Sequence, residues 1–255
     1  MAGLIVLAAG RAEAQTTTTA TFQLPNDNVQ DAQLIQGVEE TMPNTNILVG
    51  AQNPSQKDES LLRFDLSSLE GKYTQIVSIT LTLNVYSAFT GGGFGVFAVS
   101  GADAGWGTTA ATAPTWNYQN ATSSTAWAGS AGLSTTGVDY NSSALAVGSW
   151  NSVGNPSSYT LHFSGSSAAL TSLVNSWNSG ENGGLLLGGL TNFGTSSYVL
   201  FYGGSAPDAA LTPELTVTYE SVSVPEPDAF LLFGMSMLVI VGYVKCRKRK
   251  NAPDC

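Results

Sequence analysis

The stretch QIVSITLTLNVY, residues 75–86, decides the fold class. Val77, Ile79, Leu81, Leu83 and Val85 point one way, and Ser78, Thr80, Thr82 and Asn84 point the other. Side chains alternate across a strand, so this period of two predicts a long β-strand with one buried face. SLLRFDL (60–66) repeats the pattern, with Leu62, Phe64 and Leu66 together and Arg63 and Asp65 sharing the opposite face. GFGVFAV (93–99), SYTLHFS (158–164), SYVLFY (197–202) and PELTVTYE (213–220) also read as strands. Gly- and Asn-rich turns such as TGGG (90–93) and NSGENGG (178–184) separate them.

One segment has a different period. In SGSSAALTSLVNSWNSG (164–180), Leu170, Leu173, Val174 and Trp177 recur at helical spacing and form one apolar stripe. Ser166 or Ser167 can cap the start of this helix and Gly180 can end it. Many short strands with one short helix predict a mainly β fold: an antiparallel, jelly-roll-like β-sandwich with the helix lying across a sheet. The polar stretch TTAATAPTWNYQNATSSTAWAGSAGLSTTG (108–137) reads as a long loop carrying two tryptophans. No internal repeat is visible. TTTT and SVSVPEP read as linkers.

The two ends carry export signals. Residues 1–14 hold a short apolar run, Gly3 to Ala9, followed by Ala12-Glu13-Ala14, whose small residues suit signal-peptidase cleavage before Gln15. Near the other end, residues 229–244 form an apolar run about 24 Å long as a helix, enough for a transmembrane span with some adjustment. Lys245, Arg247, Lys248, Arg249 and Lys250 follow it, and positive residues stay on the cytoplasmic side. This order predicts a β domain over 15–220, a linker over 221–228, the span, and a basic cytoplasmic tail over 245–255. The body then lies outside the inner membrane, on the cell-envelope surface or in the extracellular matrix.

Charge and cysteine usage narrow the function. Between Gln15 and Val224 there are fourteen Asp and Glu against Lys57, Arg63 and Lys72 alone, a formal charge of −11. A nucleic-acid partner is excluded, because phosphate binding needs a basic face. Both cysteines, Cys246 and Cys255, sit in the tail, so the body depends on core packing rather than disulfides.

Catalytic signatures are sparse. The single histidine, His162, alternates away from Leu161 and Phe163 and is expected to face solvent, and no Gly-x-Ser-x-Gly elbow accompanies it. Zinc lacks ligands in a body with one His and no Cys. TGGGFGVF lacks the Gly-Lys-Ser/Thr of a phosphate loop and reads as a hairpin turn. Calcium is the ion that suits the composition. Asp27, Asp31, Glu39, Glu40, Asp58 and Glu59 fall in the N-terminal turns, although without the ordered spacing that would assign ligands. Among the tryptophans, Trp106, Trp116 and Trp177 read as core. Trp127 and Trp150 lie in polar Gly/Ser-rich stretches and are the candidates for exposed faces on which a sugar could stack.

Two resemblances sharpen the expectation. The order Val224-Pro225-Glu226-Pro227, apolar helix, basic cluster resembles the PEP-CTERM sorting signal. That resemblance implies a partner, an exosortase-type membrane enzyme of bacteria that make extracellular polysaccharide, which cuts near the Pro-Glu-Pro. The prolines would keep the approach to the membrane extended. The body resembles the DNRLRE-type domain, itself similar to a family of non-catalytic carbohydrate-binding modules. The matching pieces are DAQLIQG (31–37), NTNILVG (44–50), SLLRFDLSSL (60–69), ITLTLNVY (79–86), PTWN (114–117), LTSLVNSWNSGENGGLLL (170–187) and TPELTVTY (212–219). Two departures are Trp106-Gly107-Thr108, where the family often has Trp-x-Glu, and Glu214, where it commonly has Arg. The resemblance implies a sandwich that binds extracellular polysaccharide or builds matrix without turnover. The alternative is a lyase or glycosidase on the same scaffold.

Overall fold

Among the described residues, fourteen strands and one α-helix follow in this order: β1 Thr17–Gln23, β2 Gln30–Ile35, β3 Met42–Pro43, β4 Ile47–Ala51, β5 Asp58–Arg63, β6 Tyr73–Phe89, β7 Gly92–Ala98, β8 Tyr118–Asn120, β9 Thr125–Ala126, β10 Ala146–Trp150, β11 Ser158–His162, α1 Ser167–Ser176, β12 Leu185–Gly189, β13 Ser197–Phe201 and β14 Glu214–Ser221. The computed structural model describes residues 16–23, 29–40, 42–43, 46–109, 112–151, 156–190 and 196–222. Residues 16–221 form one compact unit. The expected signal (1–14), the sorting motif Val224, Pro225, Glu226 and Pro227, the span at 229–244 and the basic residues Lys245, Arg247, Lys248, Arg249 and Lys250 lie outside the described residues. Among the described residues no helix is long and apolar enough to cross a membrane.

The principal sheet is antiparallel and curls on itself. Its strands run β1-β14-β6-β13-β4-β5-β12-β7-β10, with β11 also paired to β6, and β2 to both β5 and β3. The 17-residue strand β6 makes the curl. Its N-terminal part pairs with β14 and β11, and its C-terminal end pairs with β13, so one strand serves both layers. Between the layers lies the larger core, which includes Ile79, Leu81 and Leu83 of β6, Leu215 and Val217 of β14, Val199 and Phe201 of β13, and Leu62 of β5. The mainly β, sandwich-like architecture with one short helix agrees with the expectation from alternation.

Strands β5 and β12 are buried on both faces, which is why DESLL and LLL lack clean alternation. Leu62 pairs with Leu185 and enters the larger core, whereas Leu61 pairs with Leu186 and enters a second one. The second core gathers Ala32, Leu34, Val99, Trp106, Trp116, Trp127 and Leu133. Its roof is largely the long polar stretch after Trp106, which folds back as the small β8–β9 hairpin and a chain of turns.

Strand β6 corrects one expectation. Val77 is 40% exposed and Ile76 is fully buried. Tyr219 of β14 faces Ile76 while Thr218 faces Ser78, so Val77 is the extra residue of a β-bulge and leaves the inward set. The N–H of Ile76 donates to Thr171 Oγ1 of α1 at 2.8 Å. The helix thus lies against β6 as expected, with Leu170, Val174 and Trp177 buried. Ser166 Oγ accepts from the Ala169 N–H at 3.3 Å as its N-cap, and Gly180, at φ 95°, ends the turn that follows.

Candidate functional site

The expected sugar-facing tryptophans are inside the protein. Trp127 is 4% exposed and Trp150 is 1% exposed. Trp127 packs in the second core and its Nε1–H donates to the Trp116 carbonyl at 3.0 Å. Trp150 closes β10, where alternation with Ala146 turns it into the larger core beside Phe94, ring centroids 6.3 Å apart. The Gly148 and Ser149 that suggested a loop are strand residues. Gly148 is required because a Cβ there would lie 2.4 Å from the Phe94 ring. Trp106, Trp116 and Trp177 are buried, as read from the sequence.

Three of the expected acidic residues sit on strands rather than in turns, while Glu39 and Glu40 lie between β2 and β3 as expected. Asp31 lies on β2, and Asp58 and Glu59 lie on β5, all three buried. Asp58 Oδ2 accepts from the Gln52 N–H at 2.6 Å, Asp31 Oδ2 accepts from the Gly204 N–H at 3.2 Å, and Glu39 holds Thr115 and Asn117. Among the described residues no three or more His, Cys, Asp or Glu side chains converge as a metal site would require, and Asp27 lies outside those residues. His162 faces solvent, its Nδ1 3.1 Å from Thr80 Oγ1.

Arg63 is a structural hub. It lies on the outer face of β5, as its alternation with Leu62 and Phe64 requires. Its guanidinium stacks 4.4 Å over the Trp106 ring, donates to the carbonyls of Ala104 and Trp106 at 2.9 and 2.6 Å, and donates to Gln30 Oε1. These contacts tie β5 and β2 to the start of the roof. Burial lowers the guanidinium pKa from its ordinary value.

The arrangement with chemical capacity surrounds Glu59. A groove of about 390 Å³ lies over β5, β7 and β12, with Lys57 and Glu59 at its floor, Phe97, Leu186 and Leu190 as apolar walls, and Thr136, Tyr140 and Ser142 along its rim. Lys57 Nζ is 2.6 Å from Glu59 Oε1. Glu59 Oε2 is buried and has no hydrogen-bond partner. Burial pushes the Glu59 carboxyl up to about 7, with Lys57 pulling it down and Asp58 adding a smaller upward push. Gly188 makes room for this carboxyl: a Cβ there would lie 2.8 Å from Glu59 Oε1. Phe97 and Tyr140 meet edge to face, ring centroids 5.0 Å apart, and Tyr140 Oη shares a hydrogen bond with Thr136 Oγ1 at 2.9 Å.

A buried carboxyl beside an ammonium, with one oxygen unpartnered and flanked by aromatic and aliphatic walls, can grip a ligand that both donates and accepts hydrogen bonds. Lys57, just before β5, and Glu59, on it, are two apart in the sequence, a signal visible there although Glu59 reads as part of a turn. Tyr140 reaches the groove from the roof, and nothing local in the sequence marks it. No protein-family model matches this chain, and no curated protein matches it.

Proposed function

We propose that this chain is an exported, non-catalytic protein of the cell surface or extracellular polysaccharide matrix, whose body holds a saccharide in the Lys57–Glu59 groove. The observation that carries the reading is the single carboxyl there: Glu59 is the one Asp or Glu among the described lining residues, and its buried Oε2 has no hydrogen-bond partner. Hydrolysis of a glycosidic bond ordinarily uses two carboxyls flanking it. One carboxyl next to an ammonium instead suits two neighbouring sugar hydroxyls, one donating to Glu59 and one accepting from Lys57, while Phe97 and Tyr140 offer ring faces and edges to the apolar side of the sugar.

In this reading the body is a jelly-roll-like sandwich, and the Pro-Glu-Pro tail with its apolar run and basic cluster is a membrane hold read by an exosortase-type enzyme. Neither a metal nor another cofactor is invoked. Titration calorimetry with neutral and uronate oligosaccharides tests the groove. Binding that is lost in Glu59→Gln and Tyr140→Ala, both still folded, supports the proposal, and binding unchanged in both overturns it. Mass spectrometry of both ends of the mature protein, with cell fractionation, tests the sorting. Intact ends in the cytoplasmic fraction would refute it.

The shared groove of Tyr140, Lys57 and Glu59 favours one alternative, a polysaccharide lyase, because a tyrosine and a neutralising group are the parts of a β-elimination. Unsaturated sugar ends released from a uronate polymer, and absent with Tyr140→Phe, would select it.

A further inference from the structure

We propose that the outer face of β6 and β13 is a second saccharide site, a row of four aromatic rings that seats an extended, neutral polysaccharide chain. Along β13, Ser197, Val199 and Phe201 are buried, and Tyr198 and Leu200 alternate outward. Tyr202 continues the outward set, held in line by its N–H donating to the Asn84 carbonyl at 2.9 Å. On β6, Phe89 lies opposite Tyr198, and Ser87 lies opposite Leu200. Between Val85, which faces Phe201, and Ser87 the register slips by one residue, and that extra residue is Tyr86. The bulge turns Tyr86 outward beside Ser87 while Val85 stays packed on the core.

The rings form two pairs. Phe89 and Tyr198 stack at a centroid distance of 5.7 Å and 23° between planes. Tyr86 and Tyr202 meet edge to face at 5.3 Å and 77°. Tyr198 and Tyr202 are four residues apart in extended chain, about 13 Å, a length that suits an oligosaccharide rather than one ring. Tyr86 is 56% exposed and Phe89 52% exposed, so both offer ring surface to a ligand.

Charge points to a neutral chain. Strands β4, β6 and β13 contain no charged residue, in a body otherwise strongly acidic. An anionic polymer finds no cation on this face and is repelled by the rest of the molecule. A neutral chain meets ring surfaces for its apolar side and the hydroxyls of Ser87, Tyr198 and Tyr202 for its polar side. The inference shares the saccharide-holding role proposed above but uses none of the groove residues, so the two sites can fail separately.

The test is retention of the folded body on a panel of neutral polymers (cellulose, chitin, a β-1,3-glucan and starch) against polygalacturonate. The variants are Tyr86→Ala/Phe89→Ala and, separately, Glu59→Gln, with melting curves to confirm folding; Tyr86→Phe/Phe89→Tyr keeps the rings. The double alanine variant is expected to bind the retained neutral polymer at least about tenfold more weakly, since two of the four rings are lost. The ring-keeping variant and Glu59→Gln are expected to bind it like the parent. Retention on none of the neutral polymers, or equal retention of parent and double variant, overturns the proposal. Loss with Glu59→Gln alone overturns it and leaves the groove reading standing. Sedimentation showing a parent dimer that dissociates in the double variant assigns the face to a second copy of the chain and also overturns it.

Discussion

Asp103 and Asp139 accept hydrogen bonds from consecutive backbone N–H groups, those of Ala128 and Gly129, at 2.7 and 2.5 Å. Asp139 also accepts from Thr135 at 2.7 Å and Ser130 at 3.3 Å, so two buried carboxylates hold one side of the polar roof over the second core. Their geometry lets a Ser-, Thr- and Gly-rich segment order without an apolar run of its own. Each bond to a charged acceptor is worth about 1.5–3 kcal/mol, and removing the acceptor strands several donors. Asp139→Ala is expected to destabilise the body by at least about 3 kcal/mol in urea unfolding. It is also expected to move Trp116 and Trp127 emission toward that of exposed tryptophan before global unfolding.

The pH dependence has a definite sign. Burial raises Glu59 to about 7 and Asp103 to about 6, from ordinary values of 4.5 and 3.8, and Asp139 adds to the rise at Asp103. A carboxyl whose folded pKa is raised binds its proton more tightly in the folded state. Its contribution to stability is therefore greatest below the unfolded pKa and falls as pH rises toward the folded one. Between pH 4.5 and 7 the body is expected to lose stability with rising pH, Glu59 accounting for up to about 3 kcal/mol. Glu59→Gln keeps the shape, removes the titration and should flatten that slope. A melting temperature that falls equally steeply in parent and variant would exclude Glu59 as the cause.

Gly188 tests the fit of the groove floor. An added Cβ meets Glu59 Oε1 at 2.8 Å, closer than real contacts allow, so the end of this buried side chain must shift and its contact with Lys57 with it. Gly188→Ala is expected to cost about 1–3 kcal/mol of stability and to weaken ligand binding in the groove. Pairing Gly188→Ala with Glu59→Ala should recover much of the lost stability, a coupling that a double-mutant cycle reads directly.

The tryptophans show where sequence reading succeeds and where it stops. The alternation in 75–86 located β6 and its buried Ile79, Leu81 and Leu83, and the helical spacing of Leu170, Val174 and Trp177 located α1. Both patterns are local, carried by neighbours in the chain. Trp127 and Trp150 sit among Gly, Ser and Thr, and polar neighbours read as loop. Their burial comes from distant partners: the second core, which includes Leu61 and Leu186, for Trp127, and Phe94 for Trp150. Val77 left the inward set for the same reason, because a bulge is set by register with β14 rather than by the strand's own sequence. Glu59 reads as one of the turn carboxylates and Lys57 as one of three cations, and neither marks a groove, whose Tyr140 arrives from about eighty residues away. Trp127→Ala and Trp150→Ala are each expected to lower stability by about 3–5 kcal/mol, measured by thermal or urea unfolding, as filled core sites do. A saccharide-binding loss with unchanged stability would instead restore the exposed-face reading.

Arg63 separates charge from geometry. A lysine at this position keeps the positive charge and most of the aliphatic stem. It cannot keep a planar fork that reaches Gln30 Oε1, the Ala104 carbonyl and the Trp106 carbonyl while lying flat over the indole. Two of those acceptors are backbone groups at the point where the chain leaves the sheet for the roof, so their loss should loosen the roof before the sheet. Arg63→Lys is expected to cost about 2–3 kcal/mol, the loss of at least one charge-assisted bond together with the stacking over Trp106. Hydrogen exchange should localise the damage. Faster exchange at Gly105, Gly107 and the Ala128–Gly129 amides, with the central β6 and β14 amides unchanged, would show that this arginine is the clasp between the two cores. Uniform acceleration across the sheet would show that it supports the fold as a whole.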